Sequence, residues 1–260
     1  MGVFRGALLI ALASAAASPH IAAQLPRAVA SNQCAVCHVR LVTTTSAITH
    51  TDEWLTSTHA RHGVGCEKCH GGDATRADAA SAHVGVVRSD NPASPVHWMA
   101  LPSTCGGCHP SELNAFALST HDEMLREGDA MAPTCTSCHT SMAADIPSAA
   151  DLERRCLQCH DRPGDDRARR ARRSMDEVSG QWKTLWIARL AIAGVADERQ
   201  RAALMVEWNA ADGAVRAVVS AIHAFDARRV DDRLGDARAR VHRLADALHI
   251  RCEEPPQTAG

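Results

Sequence analysis

Ten cysteines and five histidines of this chain fall into one pattern, Cys-x-x-Cys-His, repeated five times. The copies are Cys34, Cys37 and His38; Cys66, Cys69 and His70; Cys105, Cys108 and His109; Cys135, Cys138 and His139; and Cys156, Cys159 and His160. Random placement of 11 Cys and 15 His in 260 residues yields roughly 0.03 such pentapeptides, so the repeats are not accidental. Their spacing matches covalent haem attachment: two thiols three positions apart add to the two vinyl groups of one haem. The His that follows folds under the ring as the proximal iron ligand. Five complete motifs predict five covalently bound haem c groups, each carrying one iron.

Zinc and disulfides are the competing uses of the same thiols. Paired Cys-x-x-Cys units do build zinc ribbons, but zinc requires no His directly behind every second Cys, and it does not explain five repeats. A disulfide framework likewise has no use for the trailing His. Cys252 stands outside the motifs, as a free thiol or a link between two chains.

Each iron has a second axial position to fill. Ten His lie outside the motifs; His20 falls in the amino-terminal segment, and His223, His242 and His249 in the carboxy-terminal part. Six remain in the motif region: His50, His59, His62, His83, His97 and His121. Six for five irons is enough to ligate every haem by two histidines. Met99, Met124, Met131 and Met142 are the rival sixth ligands, and each would raise the potential of its haem.

Two of these histidines sit in a local echo. Trp54 to His59 reads Trp-Leu-Thr-Ser-Thr-His, and Phe116 to His121 reads Phe-Ala-Leu-Ser-Thr-His, each ahead of an attachment motif. Together with the Cys-His-Gly-Gly-Asp run at Cys69 to Asp73, these stretches resemble multihaem cytochromes of the cytochrome c-552/4, or c-554-like, family. Octahaem hydroxylamine oxidoreductase and pentahaem nitrite reductase are related to that family. The resemblance implies distal ligands at His59 and His121, from the aromatic-x-x-Ser-x-His segment, and at His83, from Ala82-His83-x-Gly85. His50 and His97 are assigned as the other distal ligands by position alone. Ile222-His223 resembles a His placed before the last helix of several relatives, although Ala224 and Phe225 stand where Asn-Pro often follows; His223 is an optional sixth ligand.

The elements that must position these groups fall into two parts. From 24 to 164 the motifs are spaced 32, 39, 30 and 21 residues apart, with Gly, Pro, Ser and Thr between them and no fixed period. This predicts an irregular pentahaem domain of short helices and loops. Aromatic residues make up only 3%, with three Phe, five Trp and no Tyr, too few for a conventional core, so haem must supply apolar volume. From 165 to 252 the pattern is helical. Val178, Trp182 and Leu185, with Trp186 and Leu190 alongside, mark a first helix whose start is crowded with Arg167, Arg169, Arg170, Arg172 and Arg173. Leu204, Trp208, Ala211, Val215, Val218, Ile222 and Phe225 form a second stripe, and Val230, Leu234, Ala237, Val241, Leu244 and Leu248 a third, with Asp226 as its cap. The fold class is therefore mainly α, with an antiparallel hairpin or three-helix extension and a disordered tail over 253–260.

Ahead of all this, Met1 to Arg5 carries one positive charge, Ala7 to Ala17 is an apolar run of 11, and small residues lead to Ala23. That is the pattern of a signal peptide over 1–23, too short to span a bilayer. It places the mature protein in the periplasm or outside the cell, where haem c is also attached. A net charge of −2 presents no broad basic surface, so nucleic acid is not an expected partner.

Two function classes follow. In the first, all haems carry two axial histidines, and the protein is an electron carrier between redox proteins such as a quinol dehydrogenase and a terminal reductase. In the second, one haem is open and the protein is a reductase or oxidoreductase of a small nitrogen or sulfur species. The resemblance favours the carrier: the related enzymes depend on an active-site Tyr, and the nitrite reductases commonly replace one proximal His with Lys. This chain has no Tyr, and every motif ends in His. A helical tail of this kind also suits a homodimer contact. The intact mass of the exported protein is expected to exceed that of its polypeptide by five haems; four or fewer, from cells with a working attachment system, would contradict the motif count.

Overall fold

The computed structural model describes residues 32–39 and 45–252. The proposed signal segment and the 253–260 tail lie outside the described residues. Among the latter there are thirteen helices and no strand, so the protein is mainly α.

Ten short helices cover the motif region: α1 Gln33–His38, α2 Thr45–Thr56, α3 Thr58–Arg61, α4 Glu67–His70, α5 Ala79–Ala82, α6 Leu101–Gly106, α7 Pro110–Phe116, α8 Thr120–Arg126, α9 Cys135–His139 and α10 Ala149–Cys156. Helices this short do not hold themselves in water. Side-chain caps fix their starts: Asn32, Ser57, Asp78, Ser119 and Ser148 each accept a hydrogen bond from a backbone N–H of the first turn, which stabilises a helix by about 1 kcal/mol. Apolar packing here is sparse. One small cluster joins Ala35, Trp54 and Ala60, and another joins Phe116, Leu125 and Ala132.

Three long helices follow: α11 Arg167–Ala193, α12 Glu198–Ile222 and α13 Ala227–Ala247. Gly194 ends α11, Asp197 caps α12 by accepting from the Gln200 N–H, and Asp226 caps α13 by accepting from Arg228 and Arg229. Connections this short force antiparallel neighbours, and the three pack as a bundle around Val178, Leu185, Ile192, Val215, Val218, Leu234 and Val241. Each fully buried side chain of this size contributes roughly 2 kcal/mol, so most of the apolar core lies in the extension.

Three side chains depart from the expected stripes. Trp186 and Leu190 stand outside the bundle, 67% and 59% exposed, and Phe225 leaves the second stripe because the backbone reverses there with a φ of +52°. The arginine cluster at the start of α11 is largely paired within the chain: Arg167 with Asp165, Arg170 with Asp166, and Arg172 with Glu153 of α10. The last of these ties the extension to the helix that carries Cys156. At the other end, Ser220 of α12 donates to the Ser111 carbonyl of α7 at 3.2 Å. The extension is thus anchored to the motif region at two points.

Val215 is wholly buried at the centre of the bundle. Val215→Asp places an unpaired charge there and is expected to destabilise the protein by about 4 kcal/mol, read as a lower denaturation midpoint. An unchanged midpoint would show that the bundle is not the stabilising core.

Candidate functional site

Each attachment motif forms a single helical turn. The histidine N–H donates to the carbonyl of the first cysteine at 2.9 Å in His70 to Cys66, His109 to Cys105 and His160 to Cys156, and the first and fourth motifs lie within α1 and α9. One turn brings thiols three residues apart to the same face. No disulfide joins any of the eleven cysteines. Burial pushes the Cys66 and Cys156 thiols up to about 11.

The motif imidazoles do not meet thiols; they meet other imidazoles. His38 faces His83 with ring centroids 6.1 Å apart, His109 faces His59 at 6.1 Å, and His160 faces His121 at 6.1 Å. His139 faces His223 at 6.0 Å with the planes only 7° apart. Two imidazoles that share one metal ion at about 2.0 Å each hold their centroids roughly 6 Å apart. A haem supplies four in-plane nitrogens and leaves its iron two axial positions, so a pair of facing rings beside two thiols fits that group. Among the described residues no cluster of three or more His, Cys, Asp or Glu could hold a metal ion by itself, which is the arrangement a zinc ribbon would need. The fifth motif histidine, His70, has its pKa lowered by burial and then by the nearby His50 and His38. His50, on α2, is thus the neighbour available to His70, without the ring contact of the other four pairs.

Local structure explains how the partners are presented. In the echo, the aromatic residue is buried and the serine is a helix cap: the Ser57 N–H donates to the Trp54 carbonyl and the Ser119 N–H to the Phe116 carbonyl, both at 2.9 Å. Ser57 Oγ then accepts from the Ala60 N–H and Ser119 Oγ from the Asp122 N–H. The same turn therefore delivers His59 and His121, two residues past each serine. His83 arrives by another route. The N–H of Asp73 donates to the Ala82 carbonyl at 3.0 Å, and a Cβ on Gly72 would meet that oxygen at 2.5 Å. Only glycine lets the Cys-His-Gly-Gly-Asp run pack this close to the His83 turn.

The second nitrogens of four of these rings are held. Nδ1 lies 2.8 Å from the Ala79 carbonyl in His83, 2.9 Å from that of Asp145 in His139, and 2.8 Å from that of Val219 in His223. His160 Nδ1 is 3.3 Å from the Asp165 carboxylate, which hydrogen bonding from Arg167 holds well below the usual carboxylate range. Such contacts fix the orientation of a ligating ring and raise its basicity. Burial lowers the pKa of His59, His121 and His139, assisted by the facing histidine in each case. Neutral imidazole is the metal-binding form.

His97 departs from the expectation. It is buried against Trp98, with centroids 5.7 Å apart, and no motif ring lies against it among the described residues. His62 is an exposed helix cap. Met124 and Met142 pack in the small apolar clusters, while Met99 and Met131 are exposed. His223, which sequence reasoning ranked as optional, does lie against a motif ring, that of His139. The available signal was Ile222-His223 at the close of a helix; what hid it was a separation of 84 residues from His139, the difference of the two positions.

Residues 12–71 match the family model described as cytochrome c554 and c-prime. Over that stretch the chain is similar to the cytochrome c554 family, and the match takes in its first two attachment motifs, which fits a haem c protein of electron transfer. Neither a curated protein nor a solved structure matches the chain significantly. Among the described residues, no helix is long and apolar enough to cross a membrane.

Successive motifs are neighbours in chain order. Asn32, the cap of the first, donates to Glu67 inside the second at 2.8 Å, and the Gln33 N–H reaches the Ala74 carbonyl at 2.8 Å. Cys69 of the second neighbours Cys105 and Cys108 of the third. Cys105 neighbours Cys135 of the fourth, and Arg155, beside the fifth, donates to the Ser137 carbonyl inside the fourth at 3.0 Å.

Ring geometry distinguishes the sites. Planes at 7° for His139 and His223, against 43° to 53° for the three other ring pairs, give a ligated iron a different splitting of its d orbitals. The oxidised, haem-loaded protein is expected to show one strongly rhombic low-spin electron paramagnetic resonance signal, and His223→Ala to remove that signal alone. Its survival in His223→Ala would take His223 out of the ligand set.

Proposed function

We propose that the protein is an exported pentahaem electron carrier in which every iron is held by two histidines. One observation carries the reading: four of the five motif histidines face a second histidine, His38 with His83, His109 with His59, His139 with His223 and His160 with His121, and His50 is near enough to the remaining one, His70, to lower its pKa. Bound haem iron accepts and releases one electron without forming or breaking a bond. Filling both axial positions with imidazole keeps substrates off the metal and keeps its coordination the same in both oxidation states. The carrier needs no acid or base group.

The attachment sites form one unbranched row in the order of their motifs, supported by the contacts between neighbouring motifs. Electrons enter at one end of the row and leave at the other, so the first and fifth motifs are the ports. Export to the periplasm rests on the amino-terminal signal pattern, and the exchange partners are redox proteins such as a quinol dehydrogenase and a terminal reductase. Residues 24–164 and 165–252 act as one electron-transfer unit, because α12 delivers a ligand to the fourth motif.

Carbon monoxide decides between carrier and enzyme. The reduced parent protein is expected to bind none, while His59→Ala, His83→Ala and His121→Ala each bind about one per chain with all haems still attached, since attachment uses only the Cys-x-x-Cys-His residues. Binding of one carbon monoxide by the parent would establish an open iron and favour the reductase reading.

A further inference from the structure

The turn joining α12 to α13 carries two residues of the site. His223 ends α12 and faces His139. Two residues on, Phe225 sets its ring edge-on against His121, with centroids 4.3 Å apart and planes at 76°. Phe116 adds a second edge contact to Phe225 at 6.5 Å. The backbone of Phe225 has a φ of +52°, a left-handed conformation that a bulky side chain rarely adopts and glycine adopts freely. Glycine would make the same reversal without strain. Burial does not account for the ring either, since 47% of Phe225 is exposed.

The imidazole it packs against does account for it. His121 Nδ1 is buried and has no hydrogen-bond partner among the described residues. Its counterparts on His83, His139, His160 and His223 all face a carbonyl or carboxylate oxygen. Buried polar atoms without a partner are rare, and each calls for a reason. For an axial ligand the reason is electronic: a ring that donates its second N–H is more basic and favours oxidised iron, and a ring kept from donating favours reduced iron.

We propose that Phe225 is a positioning residue that keeps His121 dry and non-donating, and thereby raises the reduction potential of the haem site at the fifth motif. This rests on the reading of His121 as the distal ligand of that site. Since the fifth motif ends the row, the effect draws electrons toward that port. One turn thus serves two sites, with His223 completing the fourth and Phe225 tuning the fifth.

The test is a spectroelectrochemical titration of the holoprotein and four variants. Phe225→Asn suits the left-handed backbone and brings an amide oxygen toward His121; Phe225→Ala opens the site to water; Phe225→Leu restores apolar cover. His121→Ala tests the ligand reading itself. The expected result is a lower potential for one haem in Phe225→Asn and Phe225→Ala, a value near the parent in Phe225→Leu, and an unchanged rhombic signal from the His139 and His223 site in all three. His121→Ala should convert one haem to a high-spin, carbon monoxide-binding form. If His121→Ala opens a haem but the Phe225 variants leave every potential in place, or move all five together, Phe225 only packs the turn and the proposal fails. If His121→Ala opens no haem, the ligand reading fails first.

Discussion

Two imidazoles facing each other across about 6 Å is the constraint that organises this molecule. A motif histidine is tethered to its own cysteines by a single helical turn, but its partner must come from elsewhere in the chain. His83 reaches back past the second motif to His38, His59 reaches forward past it to His109, His121 reaches forward to His160, and His223 returns from beyond the last motif to His139. The chain is stitched through its sites. Irregular motif spacing follows, because each connection needs only the length that brings its histidine to the correct gap.

This stitching replaces much of an ordinary core. The motif region contains two apolar clusters of three buried residues each, and its short helices depend on serine, asparagine and aspartate caps. Such a segment gains stability when its cofactors bind, since a site that forms only in the folded state couples binding to folding. The helical extension is built in the opposite way, on a continuous apolar seam from Val178 to Leu244. It provides a stable frame, fixed by Arg172 to Glu153 and by Ser220 to Ser111, from which His223 and Phe225 are held against the less self-sufficient part.

Electrostatics follow the same division. His59, His121 and His139 have pKa values lowered by burial and then by the histidine that each faces, which keeps these three neutral and ready to bind metal. The arginines that open α11 are mostly neutralised by Asp165, Asp166 and Glu153. Exposed pairs of this kind contribute at most about 1 kcal/mol each, so their value is in position. Arg167 holds the carboxylate that orients His160, and Arg172 joins α11 to α10.

Much of this was legible in the residues alone. Attachment chemistry is local: five residues on one helical turn carry it, so the ten cysteines and five proximal histidines are readable wherever the chain goes. The helical extension was readable because amphipathic stripes report a 3.6-residue period, and Asp226 marked its break by capping chemistry. His59 and His121 were legible through the Ser cap they share, and His83 through the glycines that its turn requires. Pairing was not local. Which distal histidine faces which motif, the meeting of His223 with His139, the order of sites along the row and the turning of Phe225 onto His121 depend on contacts between residues tens of positions apart. No short-range preference encodes such contacts; only the folded chain, bringing α12 down onto α7 and His223 onto His139, decides them.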